Sequence, residues 1–206
     1  SLNLTPLELL SNEFTFAVNR FYLKYGSIDW RPTFYTIIDR RVTADISGEV
    51  NGLTSSHFFF DNKFRGLLRQ GPDVDYFQMQ GRRPETQEEY MSTDVGAGVC
   101  SSNTVVGAAI QLADYMGFEE IYLIGCDLGY RVANTVAQNG EDVFGTGVKF
   151  HLTSERDDDA NHFDPKYFGA GRKWHAPNEP GMVDDHVHYR QILESRGKRI
   201  FNATVG

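Results

Sequence analysis

Polar residues with chemical potential sit where apolar runs stop. Asn19 follows the run 14–18, Asp39 follows 34–38, and Asp127 follows 121–125. Polar side chains beyond the carboxyl ends of parallel strands are where α/β sheets meet their ligands. Gly125 admits a close approach of another backbone, and Asp127 accepts hydrogen bonds from ligand hydroxyl or amino groups. An aspartate in that place also serves as a plain loop cap.

A second candidate is the triplet Ser102-Asn103-Thr104. Hydroxyls and amides at a helix start hold a phosphate or carboxylate. Ordinary helix capping uses the same residues. A third candidate runs from Asn161-His162-Phe163-Asp164 through Tyr167 to Arg172-Lys173-Trp174-His175. There a histidine is placed to take a proton from an acceptor hydroxyl. Arg172 and Lys173 would neutralise phosphate charge. A surface loop with incidental charges is the competing explanation.

Other clusters read as structural. His186 and His188 are two apart within an expected helix, so they do not share a face. Asp157-Asp158-Asp159 reads as a solvated acidic run rather than a metal site. Cys100 and Cys126 carry no nucleophile signature. The patterns of a nucleophile elbow, a P-loop and a dinucleotide fingerprint are absent from the sequence.

The elements around these residues predict an α/β architecture. Residues 14–18 and 34–38 read as buried strands, with weaker strands at 57–60 and 75–79. The polar stretch 81–98 reads as a loop with a short helical piece. Small and apolar residues over 105–116 follow a Ser/Asn/Thr cap and precede Gly117, which predicts a helix. An apolar strand at 119–125 follows at once. Residues 126–178 read as one long active-site loop or lid. A helix over 180–196, stopped by Gly197, and a last strand at 198–202 complete the chain. The alternation predicts one mostly parallel sheet with helices on both faces.

Length and composition fit a single domain spanning 1–206, and both ends read as trimmed. A net charge of −8 argues against a general nucleic-acid binder. Two cysteines point to a reducing compartment, and a cytoplasmic protein is the expectation. Peripheral membrane association and oligomer formation stay open.

The chain resembles the MptE-like family, which includes archaeal 6-hydroxymethylpterin pyrophosphokinases. It is similar, more distantly, to the bacterial family-42 sialyltransferases. Matching stretches are Ser1-Leu2, 16–22, 103–130, 161–164 and 198–206. The most specific are Ile-Tyr-Leu-Ile-Gly-Cys-Asp-Leu and Asn-His-Phe-Asp-Pro-Lys-Tyr-Phe. The resemblance implies a Rossmann-like three-layer domain. It implies transfer of a sugar, sialic-acid-like, from a CMP-linked donor to a saccharide acceptor in surface-polysaccharide assembly. By that resemblance His162 is the general base, while Asn19 and Asp127 hold the nucleotide. A family asparagine falls on Asp39, which is a departure. Phosphate-binding tyrosines fall near Tyr130 and Tyr167, and the group that meets the donor carboxylate falls within Ser102–Thr104. No cofactor is implied for the transferase. One alternative is a pterin pyrophosphokinase using ATP, with Mg²⁺ on Asp39 and Asp127. The other is a non-catalytic module that binds a nucleotide sugar.

Overall fold

Aromatic and β-branched runs build the first sheet. In the computed structural model, which describes residues 1–80, 90–144 and 147–205, β1 (Phe16–Val18), β2 (Phe34–Ile37), β3 (His57–Asp61) and β4 (Val74–Phe77) lie side by side in that order. All three pairings are parallel. Alternate side chains point to opposite faces, so each strand feeds two cores. On one face Tyr35, Ile37, Phe58 and Phe60 pack against Val42, Ile46 and Val50 of α1 (Arg40–Asn51). On the other, Phe16, Ile38, Phe59 and Phe77 meet Ala108 and Leu112 of α2 (Val105–Tyr115). Tyr35, Phe58 and Phe60 are fully buried, each contributing about 1.5–3 kcal/mol relative to exposure.

The second half of the expected sheet is separate. Among the described residues, strand β5 (Glu120–Leu123) pairs in parallel only with β9 (Arg199–Asn202). Helix α3 (Glu179–Ser195) and α2 cover this pair. Ile110, Tyr189, Ile192 and Leu193 form a core that Ile121, Leu123 and Ile200 complete. Helix α2 therefore lies under both parallel sheets, which among the described residues are not hydrogen-bonded to each other.

The segment 126–178 is not one long loop. It holds an antiparallel sheet of β6 (Val136–Phe144), β7 (Gly147–Ser154) and β8 (Lys173–His175). The expectation failed because these strands are short of apolar residues. Within β7, Phe150 and Leu152 alternate with His151 and Thr153, a period-two pattern too short to stand out in the sequence. Helix α1 was also not foreseen. Of the expected loop at 81–98, residues 81–89 lie outside the described residues. No helix among the described residues is long and apolar enough to cross a membrane.

The start of α2 is tied to α3 by one carboxylate. Asp185, which is buried, accepts from Ser102 Oγ at 3.0 Å, the Asn103 backbone N–H at 2.6 Å and Asn103 Nδ2 at 3.0 Å. Thr104 supplies the cap, its hydroxyl accepting from the Val106 N–H. Gly107 makes the close approach possible, because a Cβ there would lie 2.1 Å from Ser102 Oγ. Gly117, at φ +89°, ends the helix as its spacing predicts. Replacing Asp185 with alanine leaves these half-buried donors unpaired, and we expect a loss of about 1–3 kcal/mol. Urea denaturation should show the lower midpoint with an unchanged slope.

Candidate functional site

Two strand ends and one connection meet at the mouth of a cleft. The cleft has a volume of about 1150 Å³. Its floor is apolar, from Phe16 and Ala17 of β1, Ala109 and Ile110 of α2, and Ile121 and Leu123 of β5. Its polar lining includes Asp127, Tyr130, Arg131, Asn161 and His162. These residues follow β5 or lie in the connection from β7 to β8.

His162 is the most closely held of them. Its Nδ1 lies 2.8 Å from Asp159 Oδ2. Its ring stacks on Tyr167 at 3.8 Å with the planes 2° apart, and Phe168 meets it edge-on at 5.1 Å. Tyr130 stands 6.0 Å away, ring to ring. With Nδ1 as the donor to a carboxylate, Nε2 is the acceptor nitrogen of the neutral ring. Asp159 is itself fixed, accepting from the backbone N–H groups of Asn161 and Phe168 at 2.8 and 3.1 Å. Burial alone would raise its carboxyl. The hydrogen bonds from His162 and the two amides outweigh that and hold it below the ordinary aspartate value.

Asp159 was expected to be a solvated residue in an acidic run. It is instead almost fully buried, with 3% of its side chain exposed. The usable signal was its place three residues before His162. Arg131, which no sequence motif marks, belongs to the site as well. It lines the mouth, and Asn161 clamps its backbone, accepting from its N–H at 2.7 Å and donating to its carbonyl at 2.8 Å.

Both tyrosines expected near the site line the cleft. Burial raises the Tyr167 phenol strongly, against weaker pulls from Asn19 and Arg20. Burial also raises Tyr130, helped by Cys126 and Asp159 nearby. Both therefore remain hydrogen-bond donors at neutral pH. Asp127 lies on the rim, accepting from the Ser1 hydroxyl. Gly125 does take a close approach, at φ +68°, but from the side chain of Leu2, whose Cδ1 would be 3.2 Å from a Cβ there. Asn19 ends β1 in a left-handed conformation, at φ +51°. Its carbonyl accepts from the Tyr35 hydroxyl, and its own side-chain oxygen is buried without a partner.

Four expected contacts turn away from this cleft. Ser102 and Asn103 donate to Asp185, and the Thr104 hydroxyl accepts at the α2 cap, so the triplet's side chains are engaged within the fold. Asp39 caps α1, its Oδ1 accepting from the Arg41 and Val42 N–H groups at 2.8 and 2.9 Å. Its Oδ2 lies 3.0 Å from His175 Nδ1. Arg172 points at α1, donating to the Asp45 carbonyl and to Glu49 Oε1, both at 3.2 Å. Lys173 is exposed on β8 and does not line the cleft.

The residues set aside on sequence grounds behave as structural parts. His186 and His188 lie on α3, with each Nδ1 on a carbonyl four residues back. Burial, with Asp127 beside it, pushes the Cys126 thiol up to about 11, which makes it a poor nucleophile. Among the described residues no group of three or more His, Cys, Asp or Glu is arranged to hold a metal ion.

No family model, curated protein or solved structure matches this chain.

The depressed Asp159 carboxyl sets a pH dependence of stability. A carboxyl lowered by folding adds stability above its unfolded value, here 3.8, and loses it as pH falls through the lower native value. Asp159→Asn should cost about 1–3 kcal/mol at pH 7. The gap to wild type should narrow below pH 4, which denaturation at a series of pH values would reveal.

Proposed function

We propose that this chain is a Rossmann-like transferase domain that moves a sugar from a nucleotide-linked donor, CMP-linked by resemblance, to an acceptor hydroxyl. The observation that carries the reading is the orientation of His162 by Asp159 at the mouth of the cleft. A buried carboxylate on Nδ1 selects the tautomer in which Nε2 is a base.

In this reading the acceptor hydroxyl gives its proton to His162 Nε2 as its oxygen attacks the anomeric carbon of the donor. The bond from that carbon to the phosphate oxygen breaks, and the nucleotide leaves with the electron pair. Tyr130 and Tyr167, kept protonated by burial, are suited to donate to the departing phosphate. Asp127, on the rim, is suited to hold hydroxyl or amino groups of the nucleotide. Arg131 replaces Arg172 and Lys173 as the cation at the mouth.

The pyrophosphokinase alternative asks Asp39 and Asp127 to share a magnesium ion. The donor set does not fit. Both oxygens of Asp39 are taken by the α1 cap and His175, and Asp39 does not line the cleft that Asp127 borders.

Incubation with CMP-linked sugars should give hydrolysis or transfer that survives chelation. His162→Gln should reduce the rate by about 10²–10⁴-fold while CMP binding by calorimetry is kept. Absence of both turnover and CMP binding would sink the reading. Binding without turnover on any acceptor would favour the non-catalytic module. Loss of ligand binding on chelation would restore the kinase.

A further inference from the structure

Two walls of the cleft are strands seen from the side. Every residue of 14–18 and every residue of 120–125 lines it. Side chains alternate between the faces of a strand. Phe16 belongs to the core on the α2 side, whereas Ala17 belongs to the core on the α1 side. Ile121 likewise packs toward α2 and α3, whereas Tyr122 is exposed on the other face and stacks on Phe201 at 4.8 Å. A cavity that reaches both faces of β1 and of β5 looks at their edges, and so at their backbone.

On each edge alternate residues present their N–H and C=O to the cleft. Phe34 donates to the Thr15 carbonyl and Asn19 donates to the Thr36 carbonyl, so Thr15, Ala17 and Asn19 face β2. Phe16 and Val18 therefore face the cleft. Arg199 donates to the Glu119 carbonyl and Ala203 to the Leu123 carbonyl. Glu120 and Tyr122 therefore face the cleft as well. Among the described residues β1 pairs only with β2, and β5 only with β9. Backbone groups enclosed away from water need partners, and an alkyl chain in the cleft supplies none.

The two edges run the same way. Phe14, ahead of β1, meets Phe118, ahead of β5, at 5.5 Å. Beyond the carboxyl ends, Phe21 meets Phe163 at 6.3 Å and Tyr130 meets His162 at 6.0 Å. The space between the edges is bounded by apolar groups on both sides. Val106, Ala109 and Ala113 of α2 lie on one side. Leu7, Phe21 and Trp30, which pack together, lie on the other.

We propose that the floor of the cleft is the seat of one more parallel strand, which pairs with β1 on one edge and with β5 on the other. The occupant is an extended segment of about five residues, apolar on both faces, as a strand covered on both faces of a parallel sheet must be. It joins the two parallel sheets into one. Its direction brings its carboxyl end to the mouth, beside Ser1. There the Ser1 hydroxyl donates to Asp127, and Leu2 packs against Gly125. The occupant that this geometry selects is a strand connected to Ser1 by a short turn. It fills the floor and leaves the polar mouth open, so the proposal does not rest on the transferase reading.

A probe strand placed ahead of Ser1 tests this. The probe is Val-Ile-Val-Ile-Val followed by a Gly-Ser turn of about four residues, and hydrogen exchange by NMR reads single amides. Those of Phe16, Val18, Glu120 and Tyr122 should exchange at least tenfold more slowly than in the unextended chain. Amides of Ala17 and Ile121, already turned to β2 and β9, should slow less, which separates strand pairing from a general gain in stability. A Gly-Ser extension of equal length should leave all of them as they are. If the extended chain does not fold, the free peptide Lys-Val-Ile-Val-Ile-Val-Lys, added to the unmodified chain, should slow the same four amides. Unchanged exchange at those amides would overturn the proposal. Equal protection by dodecyl maltoside would overturn it as well, since the floor would then take an alkyl chain rather than a strand.

Discussion

The two parallel sheets share one support, helix α2. Nine of its eleven residues are buried, because one face packs on β1–β4 and another on β5 and α3. Its composition allows this. Gly107, Ala108, Ala109 and Ala113 bring neighbouring elements close, while Ile110 and Leu112 fill the two cores. A helix buried on nearly all sides must satisfy its end groups inside the fold. That explains why Asp185 reaches across from α3 to the residues before α2. The capping triplet is thus part of the framework, although its composition alone fits anion binding equally well.

Upon this support the polar residues sort by direction. Those after β5, and those in the β7–β8 connection, converge on the cleft mouth. Those on the α1 side, Asp39, Arg41, Arg172 and His175, bond to one another or to α1. An acidic chain thereby keeps several of its cations in structural pairs. The mouth itself has Arg131 as a cation and two phenols as neutral donors. Asp159 supplies the order within it, since it fixes His162 by its side chain and the surrounding turn by two backbone amides.

Several elements were legible because their signals are local. The α2 and α3 boundaries follow from caps and from Gly117 and Gly197, both at positive φ. The strands of the first sheet follow from aromatic runs that two cores require. Helix α1 carries a local signal too, with Val42, Ile46 and Val50 at spacings of four behind the cap Asp39. The β6–β7 hairpin was harder, since one half-covered sheet needs few apolar side chains. Asp159 looked solvated because two exposed aspartates precede it, and only the fold of the connection turns it inward.

The sequence by itself determined the α/β class, the strand ends that carry polar residues, and His162 within a dense polar segment. Periodicity, caps and glycine stops depend on neighbours within a few residues, so they survive without the fold. Only the tertiary structure decided which of those polar residues share a site. It joined His162 to Asp159, Tyr130 and Asp127, and it sent Asp39, Arg172 and the 102–104 triplet to structural partners. It also divided the parallel strands into two sheets. Each outcome depends on contacts between residues far apart in the chain, which packing sets and local pattern does not contain.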